Sequence, residues 1–534
     1  MTARHTPAGG ALAGADAPER VVIIGGGIAG LATAALLASR GYAVDLLEKN
    51  AELGGRVGSL EVDGFRFDTG ASWYLMPEVF DHFFALLGTS AATELDLVAL
   101  DPSYRVFIEG RDGALDIQPD REANGALFDS IEPGAGARLE DYLRSADETY
   151  ALALNHFLYT NFDSVPALAH RDIVRRLPTL ARLLTRSLGS HIADRFTDPA
   201  LRQLLGYPAV FLGSAPERTP SMYHLMSRLD LGERVLYPQG GFTELIAAVA
   251  RLARAHGARL HTGAEVTDIL TSEPSGRERP RVRGVRHTGA AGTQEIAADV
   301  VVGAADLHHL ETALLPRHLQ THPESAWRRR CPGPGAVLGL LGIEGRVDAL
   351  AHHSLFFTRD WDANFGDIFE RQRIPDPASI YVCAPSRTDR SVAPTDCENL
   401  FVLIPVPADT AIGAGGPDGT GAPQVEAAVD RAIAQIAAWA RVPDLAERVL
   451  VRHTLGPADF AQNYHAWRGG ALGLEHTLRQ SAFLRPGNRS RTVDGLLYAG
   501  ASTIPGVGLP MCLISAELVL KRLTGDHSPR RVTR

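Results

Sequence analysis

The residues with the clearest chemical meaning lie near the N-terminus, in Gly25-x-Gly27-x-x-Gly30. At this spacing the first glycine permits a tight turn. The second lets the backbone approach a pyrophosphate, and the third lets a helix pack closely on a strand. A helix that starts there offers unpaired N–H groups and the positive end of its dipole to phosphate oxygens. Glu48 follows at about the separation at which a carboxylate accepts hydrogen bonds from a ribose diol. Together these residues describe a dinucleotide site.

Such a site needs a strand, a turn and a helix in that order, and the flanking sequence supplies them. Val21-Val22-Ile23-Ile24 reads as a buried strand, residues 31–40 as a helix, Gly41 as its C-terminal cap and residues 42–48 as a second parallel strand. Residues 299–302 resemble the closing strand of the same domain. Between them, residues 121–231 turn helical and carry repeated proline breaks. Apolar runs at 337–343 and 400–406 predict a second sheet, most simply antiparallel. The fold class expected is α/β: a Rossmann-type nucleotide domain, a mixed or antiparallel-sheet substrate domain and a helical insertion. The nucleotide domain is expected in three pieces, at 20–120, 232–310 and 490–534, after a disordered tail at 1–19. The substrate domain is expected at 311–489.

Composition narrows the partners. With 45% hydrophobic and 22% charged residues the chain is neither disordered nor fibrous, and a net charge of -9 without a basic run argues against nucleic acid. Four cysteines, with no Cys-x-x-Cys pair, suit a reducing cytoplasm. Two uncharged stretches, 21–39 and 496–516, are long enough to span a bilayer, but glycines interrupt the first and Pro505 and Pro510 the second. An integral membrane protein is therefore not expected. The pairs His308-His309 and His352-His353 could suggest metal. Adjacent side chains on one element point apart, however, so packing roles and no metal site are expected.

Further motifs extend the glycine fingerprint: Leu53-Gly54-Gly55-Arg56, Asp68-Thr69-Gly70-Ala71-Ser72, and, near the C-terminus, Leu497 to Ser502 followed by Gly506-Val507-Gly508-Leu509-Pro510-Met511. In these the chain resembles the flavin amine oxidase and phytoene desaturase superfamily. Tyr237-Pro238-Gln239-Gly240-Gly241-Phe242, Leu350-Ala351-His352-His353, Ala384-Pro385-Ser386-x-Thr388-Asp389 and Gln480-Ser481-Ala482-Phe483-x-Arg485-Pro486 extend the resemblance to the bacterial-type phytoene desaturases, over nearly the whole chain after residue 20. The resemblance implies FAD as cofactor. It implies contacts from Gly25, Gly27, Ile28, Ala29, Gly30, Glu48, Lys49, Gly55, Arg56, Gly70, Ala71, Ser72, Val266, Gly500, Ala501, Gly508, Leu509, Pro510 and Met511. Arg56 would neutralise pyrophosphate charge, and the backbone of Val266 would meet the adenine.

The implied reaction is desaturation of a long apolar isoprenoid, most simply phytoene toward lycopene, by hydride transfer to flavin and proton loss. Asp172 and Arg175, one helical turn apart, would be the catalytic pair. Oxygen or a quinone would take the electrons. A substrate so apolar should enter from a membrane surface, and the mixed basic and apolar stretch at 175–188 suits an interfacial helix on a cytoplasmic, peripherally bound protein. An isomerase or saturase on the same scaffold, an amine oxidase and a flavin-binding protein without turnover are the alternatives. One departure is informative: many members of the family carry Thr-His-Pro-Gly where this chain has Thr503-Ile504-Pro505-Gly506, so no mechanism here can use that histidine.

Overall fold

The structure is a computed structural model and describes residues 19–162, 171–274 and 276–533. The tail expected at 1–19 falls, except for Glu19, outside the described residues.

Five parallel strands form the first sheet, in the order Leu496–Tyr498, Val300–Gly303, Arg20–Ile24, Ala43–Leu47, Arg259–His261. Chain segments from both ends and the middle thus meet side by side. Helix Ile28–Ser39 crosses from the first strand to its neighbour, and every residue from Ile28 to Ala38 is buried. A helix apolar on all sides needs cover on all sides. Helices Phe242–Ala255 and Leu509–Thr524 share one hydrophobic core with it.

The second large sheet has seven strands, in the order Val449–Leu455, Gly335–Glu344, Cys397–Val406, Ile380–Cys383, His353–Phe357, Tyr104–Ile108, Leu115–Ile117. Its pairs are antiparallel except His353–Phe357 with Tyr104–Ile108, which is parallel. The mixed sheet is thus seen directly. Tyr104–Ile108 and Leu115–Ile117, expected in the first piece of the nucleotide domain, pair here instead. Tyr104, Val106, Leu115 and Ile117 are buried on one side, and Phe107 is buried on the other against Phe356, so Tyr104–Ile108 has cover on both faces.

Among its described residues, segment 121–231 carries helices joined by turns and loops and no strand, and Asp120 and Asp198 cap two of its helices through their side chains. Among the described residues no helix is long and apolar enough to cross a membrane.

Candidate flavin site

A cavity holding about 1580 Å³ of empty space, its mouth included, lies where the two large sheets face each other. The glycines of the first turn divide the work as their spacing suggests. Gly25 has φ +105° and lies against the backbone of Ala304, so the turn cannot carry a side chain. A Cβ on Gly30 would sit 2.0 Å from the carbonyl oxygen of Gly25, which makes Gly30 the close-packing position. On Gly27 the nearest atom to a Cβ is 3.8 Å away, so this residue leaves open space for a ligand.

Glu48, buried at the end of its strand, accepts hydrogen bonds from the Gly26 amide at 2.7 Å and the Asn50 amide at 2.8 Å. These fix the carboxylate at the cavity edge and leave lone pairs on both oxygens. The Lys49 ammonium donates to the Gln462 carbonyl. Arg56, on the single turn Gly55–Val57, is the most telling residue: its Nε and one terminal nitrogen are buried and have no partner. Its face lies over the Tyr464 ring at 5.9 Å, so what it lacks is an acceptor, and a guanidinium without one in a cavity wall is costly until an anion arrives. Its neighbour Gly70 is obligatory, because a Cβ there would lie 2.0 Å from the Arg56 carbonyl oxygen.

The C-terminal turn forms the opposite rim. Gly500 has φ +113°, and its amide is held by Ser515 Oγ at 3.0 Å. Arg485 is buried and donates to the carbonyls of Ala501, Thr503 and Gln480 at 2.6, 3.1 and 3.2 Å, with no carboxylate among its partners. A trans peptide points its C=O and the following N–H in opposite directions. Fixing the Ala501 carbonyl therefore turns the Ser502 amide away from Arg485, and the Ala501 and Ser502 amides have no acceptor among the described residues. Helix Leu509–Thr524 starts beside them without a side-chain cap, adding its dipole.

Of the residues implied by resemblance, Gly25, Gly27, Ile28, Ala29, Glu48, Lys49, Gly55, Arg56, Gly70, Ala71, Val266, Gly500, Ala501, Gly508 and Leu509 line the cavity. Gly30, Ser72, Pro510 and Met511 stand behind the lining. Ser72 instead accepts a hydrogen bond from Tyr381, Pro510 sits in the first turn of the last helix, and Met511 packs into the core. The pair Asp172 and Arg175 lies on helix Arg171–Thr185; Arg175 is exposed and does not reach the cavity, and the side chain of Asp172 lies outside what is described. Asp306, the stacked pair His309 and His465 (centroids 3.8 Å apart) and Tyr464 were not foreseen, although all line the cavity. Burial raises the Asp306 carboxyl against the pull of Arg56, and burial with the neighbouring His465 lowers His309 to about 4. No local motif marks these residues, since they meet only through the fold.

Beyond the polar rim the wall changes character: Ala336, Leu338, Phe401 and Leu403 from the seven-stranded sheet, with Phe460 and Leu472, present an apolar face. At the place of the histidine that the resemblance gives to many family members, buried Ile504 stands. A histidine does come close from another segment, for His476 packs beneath Gly506, but burial holds its imidazole well below the usual range, hence neutral.

The histidine pairs behave differently from each other. His308 turns to Glu324 at 2.6 Å and His309 to His465, so these two do diverge. His352 and His353 do not: their ring centroids lie 4.6 Å apart, and Cys383 joins them. The alternation rule fails because the strand begins only at His353, leaving His352 outside the regular pleat.

The parallel sheet, the glycine turn, the buried free guanidinium and the open amides fit FAD, and together they define a flavin-dependent oxidoreductase. The family model for flavin containing amine oxidoreductase matches residues 28–519. A carotenoid 3,4-desaturase of Haloarcula japonica is 40% identical over 95% of this chain and 98% of its own length. A zeta-carotene-forming phytoene desaturase of Myxococcus xanthus is 35% identical over 95% and 94%. The chain belongs to the carotenoid desaturase family of the flavin containing amine oxidoreductases, with FAD as cofactor. In fold it is similar to putrescine oxidase, with a TM-score of 0.57, 14% identity and coverage of 95% of this chain and 99% of that one.

Proposed function

We propose that this chain desaturates a long apolar isoprenoid, with phytoene toward lycopene as the first conversion to test. The observation that carries this is the two-faced cavity, cationic and rich in open amides on one side and lined by Leu338, Phe401 and Leu403 on the other. Bound FAD supplies the hydride acceptor. Arg56 and the open amides of the C-terminal turn bind and orient the cofactor. The apolar wall holds the saturated carbon next to the polyene and excludes water. Positive charge left on the substrate spreads over its existing double bonds, so positioning matters more than a strong base. Exposed Arg175, with Asp172 on the same helix, suits the substrate entrance rather than the flavin.

The entrance reading also has a surface to stand on. Leu177, Leu478, Phe483 and Leu484 are large apolar side chains left 57%, 43%, 67% and 47% exposed. Phe162 lies 6.5 Å from Phe483, and Tyr223 bonds Ser481 at 3.2 Å beside the turn that receives helix Arg171–Thr185. We assign these side chains to a membrane-facing patch through which the substrate enters.

A second substrate reading rests on the Haloarcula relative, whose stated activity is 3,4-desaturation and whose identity is the higher of the two. Expression in phytoene-accumulating and lycopene-accumulating hosts separates the two readings. Desaturation lowers product mass by two hydrogens per step, an isomerase leaves it unchanged and a saturase raises it. Peroxide release on adding amines would support an amine oxidase instead. Oxygen uptake against quinone reduction identifies the electron acceptor.

A further inference from the structure

Strands His353–Phe357 and Ile380–Cys383 run antiparallel with His353 opposite Cys383, which puts both side chains on one face. His352 folds in beside them, and one ligand atom from each of the three lies within 4.8 Å of the others. All three are buried, at 4%, 0% and 3% exposure. The Nδ1 atom of each histidine is already engaged, His352 with the Thr388 hydroxyl and His353 with the Tyr381 hydroxyl, both at 2.8 Å. The Tyr381 hydroxyl donates its proton to Ser72 Oγ at 2.8 Å, so at the phenol oxygen the donor is His353 Nδ1–H. Its Nε2 then carries a bare lone pair, and the Nε2 atoms of both rings are buried without any partner.

Two imidazoles held by hydroxyls at Nδ1 and without a partner at Nε2, beside a thiol that the Tyr381 hydroxyl also reaches, form a ligand set with its outer hydrogen bonds in place. Nitrogen and sulfur donors suit a borderline ion and not calcium or magnesium, which require oxygen. Next to Cys383, Asp68 lines a cavity of only about 10 Å³, and its Oδ1 is buried and unpartnered. We propose that His352, His353 and Cys383 bind one zinc ion. On binding, the Cys383 thiol gives its proton to solvent as the zinc–sulfur bond forms, and the ion stays divalent throughout. The role is to brace: the Trp73 ring stacks on His353 at 4.3 Å, and Tyr381 grips Ser72, so the ion would stiffen the end of the Gly70 to Trp73 segment whose beginning lines the flavin cavity.

The test is metal analysis of the FAD-loaded protein, purified without a histidine tag from a zinc-supplemented culture. About one zinc per chain is expected, with Cys383→Ser falling below about 0.1 while retaining its flavin. Should that variant fail to fold, cobalt exchange into the wild type decides. A thiolate-to-cobalt absorption band must appear, and it must persist in Cys331→Ser, Cys397→Ser and Cys512→Ser. Less than about 0.1 zinc in the wild type even after incubation with zinc, a missing cobalt–thiolate band, or zinc retained in full by Cys383→Ser would each overturn the site.

Discussion

The two sheets that enclose the cavity solve opposite problems. The side of the cavity built on the parallel sheet brings backbone close to the FAD, omitting side chains at Gly25 and Gly30, and at Gly70 after strand Phe65–Asp68, where any Cβ would be crowded by backbone. The seven-stranded sheet, which on the proposed function presents surface to an apolar chain, fills its face of the cavity with Leu338, Phe401 and Leu403. One region therefore tolerates almost no change at a few points. The other should tolerate change in binding strength without losing the cofactor.

The largest break in this contrast is Gly30→Val. With the Gly25 carbonyl at 2.0 Å from the new Cβ, the turn cannot close, and the purified protein should lack yellow colour altogether. Next is Arg56→Met, which removes the free guanidinium but little volume. FAD titration of the apoprotein should show a loss of about 2–3 kcal/mol, or roughly 30- to 150-fold, with Arg56→Lys recovering part of it. Leu403→Asn tests the other sheet: flavin content should hold, while KM for the isoprenoid rises on the order of ten-fold at little cost to kcat for a shortened substrate.

A smaller effect separates polar burial from function. Asp230 accepts hydrogen bonds from Tyr104 and Tyr207, and burial pushes its carboxyl up to about 7. Because the folded value lies above the unfolded one, the stabilising form is the protonated acid. That contribution is complete below about pH 4 and is lost as pH rises toward 7. Asp230→Asn keeps an acceptor for both phenols and removes the titration. Its melting temperature relative to wild type should therefore be higher at pH 8 than at pH 5, while its activity differs little. The smallest effect is at the surface: Phe483→Ser with Leu484→Ser should weaken co-sedimentation with anionic liposomes several-fold and leave flavin content untouched.

What the sequence makes legible follows the same division. Gly25, Gly27, Gly30, Glu48 and Arg56 are readable because each acts within a few residues of the strand or turn that defines it. The pairing of Tyr104–Ile108 with His353–Phe357 and the His309 and His465 stack join residues far apart in the chain, and the sequence around one partner does not say which residue it will meet. The histidine pair His352-His353 shows the limit of a periodicity rule at an element's end, where the pleat that separates neighbours has not begun.

The most direct measurement is an anaerobic one on the FAD-loaded protein, with phytoene or a more conjugated carotenoid delivered in liposomes. The flavin absorbance should bleach and a product lighter by two hydrogens should appear in matching amount. Flavin that stays oxidised with every isoprenoid offered, in a protein that holds its full FAD, would contradict the assignment of the apolar wall to this substrate class.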